Sequence, residues 1–122
     1  MSTPVACDTN SNVVEMYQFS DNFFYVRIMD TYGQYESATL YPQAQYLISD
    51  RRGNTKVLLS IGSGISVVDV EGENLFLIHI DDAKINFKGT FIDQFTTWDS
   101  NGHKQPPRFI RKIKVNKVVL NG

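Results

Sequence analysis

Apolar residues recur at every second position along most of this chain, in short runs separated by turn-forming residues. The longest such stretch is Asn74 to Trp98. In Leu75-Phe76-Leu77-Ile78-His79-Ile80, the residues Phe76, Ile78 and Ile80 share one parity and His79 takes the other. In the run from Ile85 to Trp98, Phe91, Phe95 and Thr97 share a parity. Successive side chains of a β-strand point to opposite faces, so the pattern predicts two half-buried strands at the centre of a sheet. Between them, Asp81 to Lys84 predicts a single helical turn with Asp81 as its cap.

The same reading places strands over Val13–Phe19, Phe23–Asp30, Ala44–Asp50, Lys56–Ile61, Ile65–Val70 and Phe109–Val115, and leaves Tyr35–Tyr41 undecided. Phe24, Val26 and Ile28 point one way and Arg27 the other, while Ala44, Tyr46 and Ile48 line one side of their strand. Turns fall at Ser20-Asp21-Asn22, Thr31–Gln34, Arg51–Asn54, Gly62–Gly64, Glu71–Glu73 and Asp99–Gly102. Asn101-Gly102 suits a primed hairpin turn, here lengthened by His103–Pro107. Turn signals spaced by roughly 8–12 residues predict an all-β fold, an antiparallel Ig-like β-sandwich with little or no helix. Its expected core is Phe24, Val26, Ile28, Tyr46, Ile48, Phe76, Ile78, Ile80, Phe91 and Phe95. The expected organisation is a flexible arm over residues 1–12 and one sandwich domain over 13–122, ending in a tail from Lys117.

Composition narrows the classes. The chain has 122 residues, 42% hydrophobic and 20% charged, which is a globular balance and enough sequence to bury a core without staples. The formal net charge of −1 provides no global field to recruit nucleic acid or an anionic membrane. One cysteine, Cys7, cannot form an internal disulfide, which fits synthesis in a reducing cytoplasm. Met1–Ser11 lacks the charged and apolar regions of a signal peptide. Eight Phe, six Tyr and one Trp favour strands, and their crowding between Tyr17 and Tyr41 predicts an exposed aromatic patch.

No catalytic constellation stands out. His79 and His103 lack neighbouring Cys or His at ligand spacing, so neither metal nor cofactor is expected. Asp81-Asp82 and the acids Asp69, Glu71 and Glu73 read as solvated turns. Gly62-Ser63-Gly64 runs into a strand, whereas a phosphate loop opens a helix. The C-terminal stretch concentrates Lys104, Arg108, Arg111, Lys112, Lys114 and Lys117. The first reading of this stretch is a solvated edge strand guarded by lysine, and the second a docking strand for an acidic partner. Residues expected to make contacts are Tyr32, Tyr35, Arg108, Arg111, Lys112 and Lys114.

Five segments carry a likeness to a known family: Ser20–Asp30 followed by Gly33, Ala44–Gly53, Gly64–Gly72, Leu75–Asp81, and Lys88–Asp99 with the closing strand at Phe109. Their order resembles the N-terminal β-sandwich of bacteriophage upper baseplate proteins and related fibre-attachment domains, over roughly Ser20 to Val115. The resemblance implies a non-enzymatic virion structural protein, made in the host cytoplasm. It also implies tail, baseplate, fibre or capsid proteins as partners, and a homo-oligomer within the virion. Family members commonly continue into a coiled coil or receptor-binding domain, so a copy of this length is expected to be an adaptor. The alternatives are a capsid decoration protein or a carbohydrate-binding sandwich that stacks sugar on a surface Tyr or on Trp98.

Overall fold

The computed structural model describes residues 14–118; the expected arm, Cys7 and the end of the tail lie outside the described residues. The strands are β1 (Val14–Tyr17), β2 (Asn22–Val26), β3 (Ile28–Met29), β4 (Tyr35–Glu36), β5 (Gln43–Ser49), β6 (Thr55–Ile61), β7 (Gly64–Val70), β8 (Glu73–Ile80), β9 (Gly89–Trp98) and β10 (Phe109–Asn116). Helix among the described residues is confined to 3-10 turns at Ala38–Leu40 and Asp82–Lys84. The fold is an all-β, Ig-like sandwich.

Eight strands form one ladder in the order β1-β10-β9-β5-β6-β7-β8-β2, and β3 pairs with β4 in a separate hairpin. The ladder turns a corner between β6 and β7, where pairing shrinks to Ser60 with Gly64 and Ile61 with Ile65. At that corner Gly64 has φ +98, and a Cβ there would come within 2.6 Å of the Leu59 side chain, so any other residue would be strained and would have to displace Leu59. The corner divides the ladder into a five-stranded layer, β1-β10-β9-β5-β6, and a three-stranded layer, β7-β8-β2. Inward residues of the two layers meet as rings: Phe76 lies 5.3 Å from Phe95, and Phe24 lies 5.4 Å from Tyr46.

Nine of the ten expected core residues are buried; Phe24 is half-buried and packs against the cluster from β2. Burying each large apolar side chain contributes about 1.5–3 kcal/mol, so the period-two pattern was reporting the main driving force of the fold.

Several expectations change. The run Phe23–Asp30 breaks at Arg27 into β2 and β3, which belong to different sheets. The second central strand begins at Gly89, not Ile85, although Ile85 is fully buried. Two pairings are parallel, β1 with β10 and β6 with β7. Strand β10 is therefore not an edge: it is flanked by β1 and β9. Asp81 makes no side-chain cap; the Asp21 carboxylate instead accepts from the Asp82 N–H at 3.1 Å. The Asp99–Gly102 turn is not a two-residue primed turn. Its Gly102 N–H bonds the Asp99 carbonyl, and Asp99 Oδ1 accepts from the N–H groups of Asn101 and His103.

That last geometry occurs three times. Asp30, Asp50 and Asp99 each open an Asp-x-x-Gly-x turn, with the carboxylate taking backbone N–H groups two and four residues on. The glycines Gly33, Gly53 and Gly102 sit at φ 79, 86 and 82, a left-handed conformation that glycine reaches without strain. The accepted N–H groups hold the Asp50 and Asp99 pKa values below the usual carboxylate range, with the Asn54 side chain adding most at Asp50.

Candidate functional site

The two outer faces of the sandwich differ in chemistry. On the three-stranded layer, β2 is the last strand of the ladder and pairs only with β8 among the described residues. Its inward residues are Phe24 and Val26, so Phe23 and Tyr25 face out, 61% and 50% exposed. Register places Phe23 beside His79 and Tyr25 beside Leu77. The Phe23 and His79 rings stack at 4.2 Å and 9°. His79 Nε2 in turn lies 3.1 Å from Asp21 Oδ1. An edge strand that is unpaired among the described residues and carries two outward rings is an unusual thing to leave in water.

At the end of that face, Asp21, Asp81 and Asp82 bring carboxylate oxygens within 4.8 Å of one another. All three are exposed. Asp82 has its pKa raised, first by the side chain of Asp81 and then by the charge of Asp21. The adjacent Lys84 adds one cation on the same turn. Exposed carboxylates at a turn of this kind supply negative charge, and they carry no metal assignment here.

The outer face of the five-stranded layer is basic and aliphatic. Lys112, Lys114 and Ile110 project from β10, Ile92 from β9, and Lys56 and Leu58 from β6, all exposed. Lys112 sits opposite Ile92, and Lys114 between Thr90 and Glu15. Neither lysine forms an ion pair within 4.0 Å among the described residues.

The six residues expected to make contacts do not form one surface. Lys112 and Lys114 are exposed on the basic face. Arg111 shares the inward parity of Ile113 and Val115. Its guanidinium donates to Asp93 at 3.1 and 2.6 Å and lies over the rings of Phe109 and Phe24 at 4.2 and 5.3 Å. Asp93 is fully buried and also accepts from the Tyr46 hydroxyl at 2.7 Å. Burial opposes the charge on Arg111, but the hydrogen bonds and charge of Asp93 outweigh it and hold the pKa above the usual guanidinium value. Burial, then the Asp93 charge, push the Tyr46 phenol well above its ordinary range.

Arg108 is likewise committed. It donates to Thr97 Oγ1 at 3.0 Å and Gln105 Oε1 at 2.7 Å, and lies 4.8 Å over the Tyr41 ring. The long loop before β10 is tied back to β9 through Gln105 N–H to Thr97 and Arg108 N–H to Phe95. Tyr32, 86% exposed, stands at the tip of the β3–β4 hairpin. Tyr35 is half-buried, its hydroxyl accepting from the Asn74 N–H at 2.7 Å under the guanidinium of Arg27 at 5.3 Å. Trp98 carries the Lys104 ammonium over its ring at 5.7 Å.

Sequence reading gave the aromatic crowding but not the outward pair Phe23 and Tyr25. The signal was present: both take the parity opposite to Phe24 and Val26.

No protein-family model and no curated protein matches the chain. Among solved structures, the crystal structure of CopC from Methylosinus trichosporium OB3b is similar over 92% of this chain and 91% of its own, at 13% identity and a TM-score of 0.46.

Proposed function

We propose that this chain is a non-enzymatic structural subunit of a bacteriophage virion, an adaptor in the tail, baseplate or fibre attachment, that works by protein–protein contact. The virion context comes from the sequence resemblance. The single observation behind the contact surface is the exposed pair Phe23 and Tyr25 on β2, a strand with a partner on one side only among the described residues. Interfaces concentrate aromatic residues, and an open edge adds backbone donors and acceptors that a neighbour can pair. Covering the exposed halves of two such rings contributes about 2–3 kcal/mol before any hydrogen bond forms.

The test has two parts. Mass spectrometry of purified virions should find the protein at a fixed ratio to tail or capsid subunits. Replacing Phe23 and Tyr25 together by Asp should leave the circular dichroism spectrum unchanged, because both rings point away from the core. Occupancy in virions should then fall at least about tenfold. A protein absent from virions, or a double variant incorporated at wild-type occupancy, would overturn the reading.

A further inference from the structure

Resting on the reading of the Phe23–Tyr25 face as a docking surface, we propose that its occupant is the opposite face of a second copy of this chain. Successive copies then stack front to back, the acidic aromatic face of one against the lysine-rich aliphatic face of the next.

Charge complementarity carries the choice of partner. The front face ends in Asp21, Asp81 and Asp82, with Lys84 as the cation nearby. The rear face carries Lys56, Lys112 and Lys114, with Glu15 as its one acid among the described residues. The Arg27–Glu73 pair on the front face is neutral as a unit, so the excess charge of the front face is the acidic cluster and that of the rear face is lysine.

The two faces also lie in register with each other. Phe24 on β2 touches Tyr46 of β5 and lies beneath the Arg111 guanidinium of β10. This places β2 across the sandwich from β9, between β5 and β10. Phe23 and Tyr25 therefore stand back to back with Ile92, Ile110 and Lys112. Lengthwise, Gln18 N–H bonds the Asn116 carbonyl and Phe19 N–H bonds the Ile85 carbonyl. The segment entering β2 thereby runs beside the C-terminal end of β10. The acidic cluster and Lys114 share that end of the molecule. A simple translation along the sheet normal brings the carboxylates of one copy toward the lysines of the next, and the two rings onto Ile92 and Ile110. Such a contact is heterologous, so it leaves both outer faces of every assembly free to add another copy unless a rotation closes a ring. Pairing of two β2 edges would instead stop at a dimer and leave the lysine face unused.

Sedimentation velocity of the full chain, across a concentration series, tests this at ionic strengths of about 0.01 M and about 1 M, where the screening length falls from about 30 Å to about 3 Å. The weight-average mass should rise past that of a dimer at low salt, and the association constant should drop at least about tenfold at high salt. Two charge-reversed proteins sharpen the result. Lys112→Glu with Lys114→Glu makes both faces acidic, and Asp81→Lys with Asp82→Lys makes both basic. Each alone should stay monomeric, and an equimolar mixture should associate again. All four positions are exposed, so folding should survive, with circular dichroism as the check. A wild-type protein that remains monomeric or stops at a dimer overturns the proposal, as does association indifferent to both reversals. If Phe23 and Tyr25 prove necessary for virion incorporation while the wild type is monomeric, this inference fails and the docking reading stands. If the protein stacks yet is absent from virions, the virion reading is the one that fails.

Discussion

Two arginine–carboxylate pairs hold this molecule at different depths. Arg111 and Asp93 tie β10 to β9 in the interior, with side chains 18% and 0% exposed and a closest approach of 2.6 Å. Arg27 and Glu73 tie the end of β2 to the start of β8 near the surface, 34% and 36% exposed, at 2.8 Å. Both are two-pronged, both arginines lie over aromatic rings, and both involve a nearby tyrosine. The difference is water. Around Arg27 and Glu73, solvent can replace either partner, so the pair adds little. Around Asp93 nothing can replace Arg111 and Tyr46, and losing one partner strands a charge in a low-dielectric core. Identical chemistry therefore acts as a surface clasp in one place and as a condition for folding in the other.

The largest expected effect follows directly. Asp93→Ala should cost about 3–5 kcal/mol, because it leaves the Arg111 guanidinium without a counter-charge between Phe109 and Phe24. Urea unfolding of the variant measures it. Replacing both partners, Asp93→Leu with Arg111→Met, should recover much of the loss, since apolar residues of similar volume remove the stranded charge. If Asp93→Ala costs under about 1 kcal/mol, the interior pair is no different from a surface one.

Next in size is Tyr46→Phe, which removes the third hydrogen bond to Asp93 and keeps the ring. A hydrogen bond to a charged acceptor contributes about 1.5–3 kcal/mol, and the denaturation midpoint should drop accordingly. The same phenol gives a pH signature. Its pKa is raised in the fold above the unfolded value of 10.0. The neutral phenol is favoured by folding, so its contribution is complete below pH 10 and is lost as pH rises from there toward the folded pKa. Tyr46→Phe should therefore flatten the fall in stability above pH 10, and an unchanged slope would remove Tyr46 from the account.

Much of this fold was legible because one-face burial writes itself into residue parity. Phe76, Ile78 and Ile80 named the centre of the three-stranded layer, and Tyr46 and Ile48 named its opposite wall. Parity also marked Asp93 as inward, since it lies between Phe91 and Phe95, and marked Arg111 with Ile113 and Val115. Residue type obscured both, because a charge reads as surface until its partner, 18 residues away, is known. The basic stretch looked like a guarded edge for the same reason. That β1 would close over β10 in parallel depends on pairing between the two ends of the described chain, which no local pattern encodes. The repeated Asp-x-x-Gly-x turn was visible as three spaced Asp and Gly residues, and it needed only to be read as one motif.

The smallest expected effect concerns Glu73→Gln, which keeps the size of the side chain and removes its charge. The Arg27 hydrogen bonds hold the Glu73 pKa below the usual glutamate value; burial opposes them as the next-largest influence, and the Arg27 charge adds to the lowering. A depressed carboxylate is favoured by folding in its ionised form. Its contribution is therefore complete above the unfolded pKa near 4.5 and disappears as pH falls through the folded value. At neutral pH the substitution should move the unfolding midpoint by an amount close to the resolution of a denaturant curve, because water and salt already screen this pair. Added salt should erase even that difference. Arg27 also lies over Tyr35, whose hydroxyl holds the backbone of Asn74, so the β3–β4 hairpin should stay docked when the carboxylate is gone. Hydrogen exchange at the Asn74 amide reports this: protection retained in Glu73→Gln means the stacking and the Tyr35 bond suffice. Protection lost would mean that the surface pair orders the hairpin as firmly as the interior pair orders β10, and the contrast drawn between them would collapse.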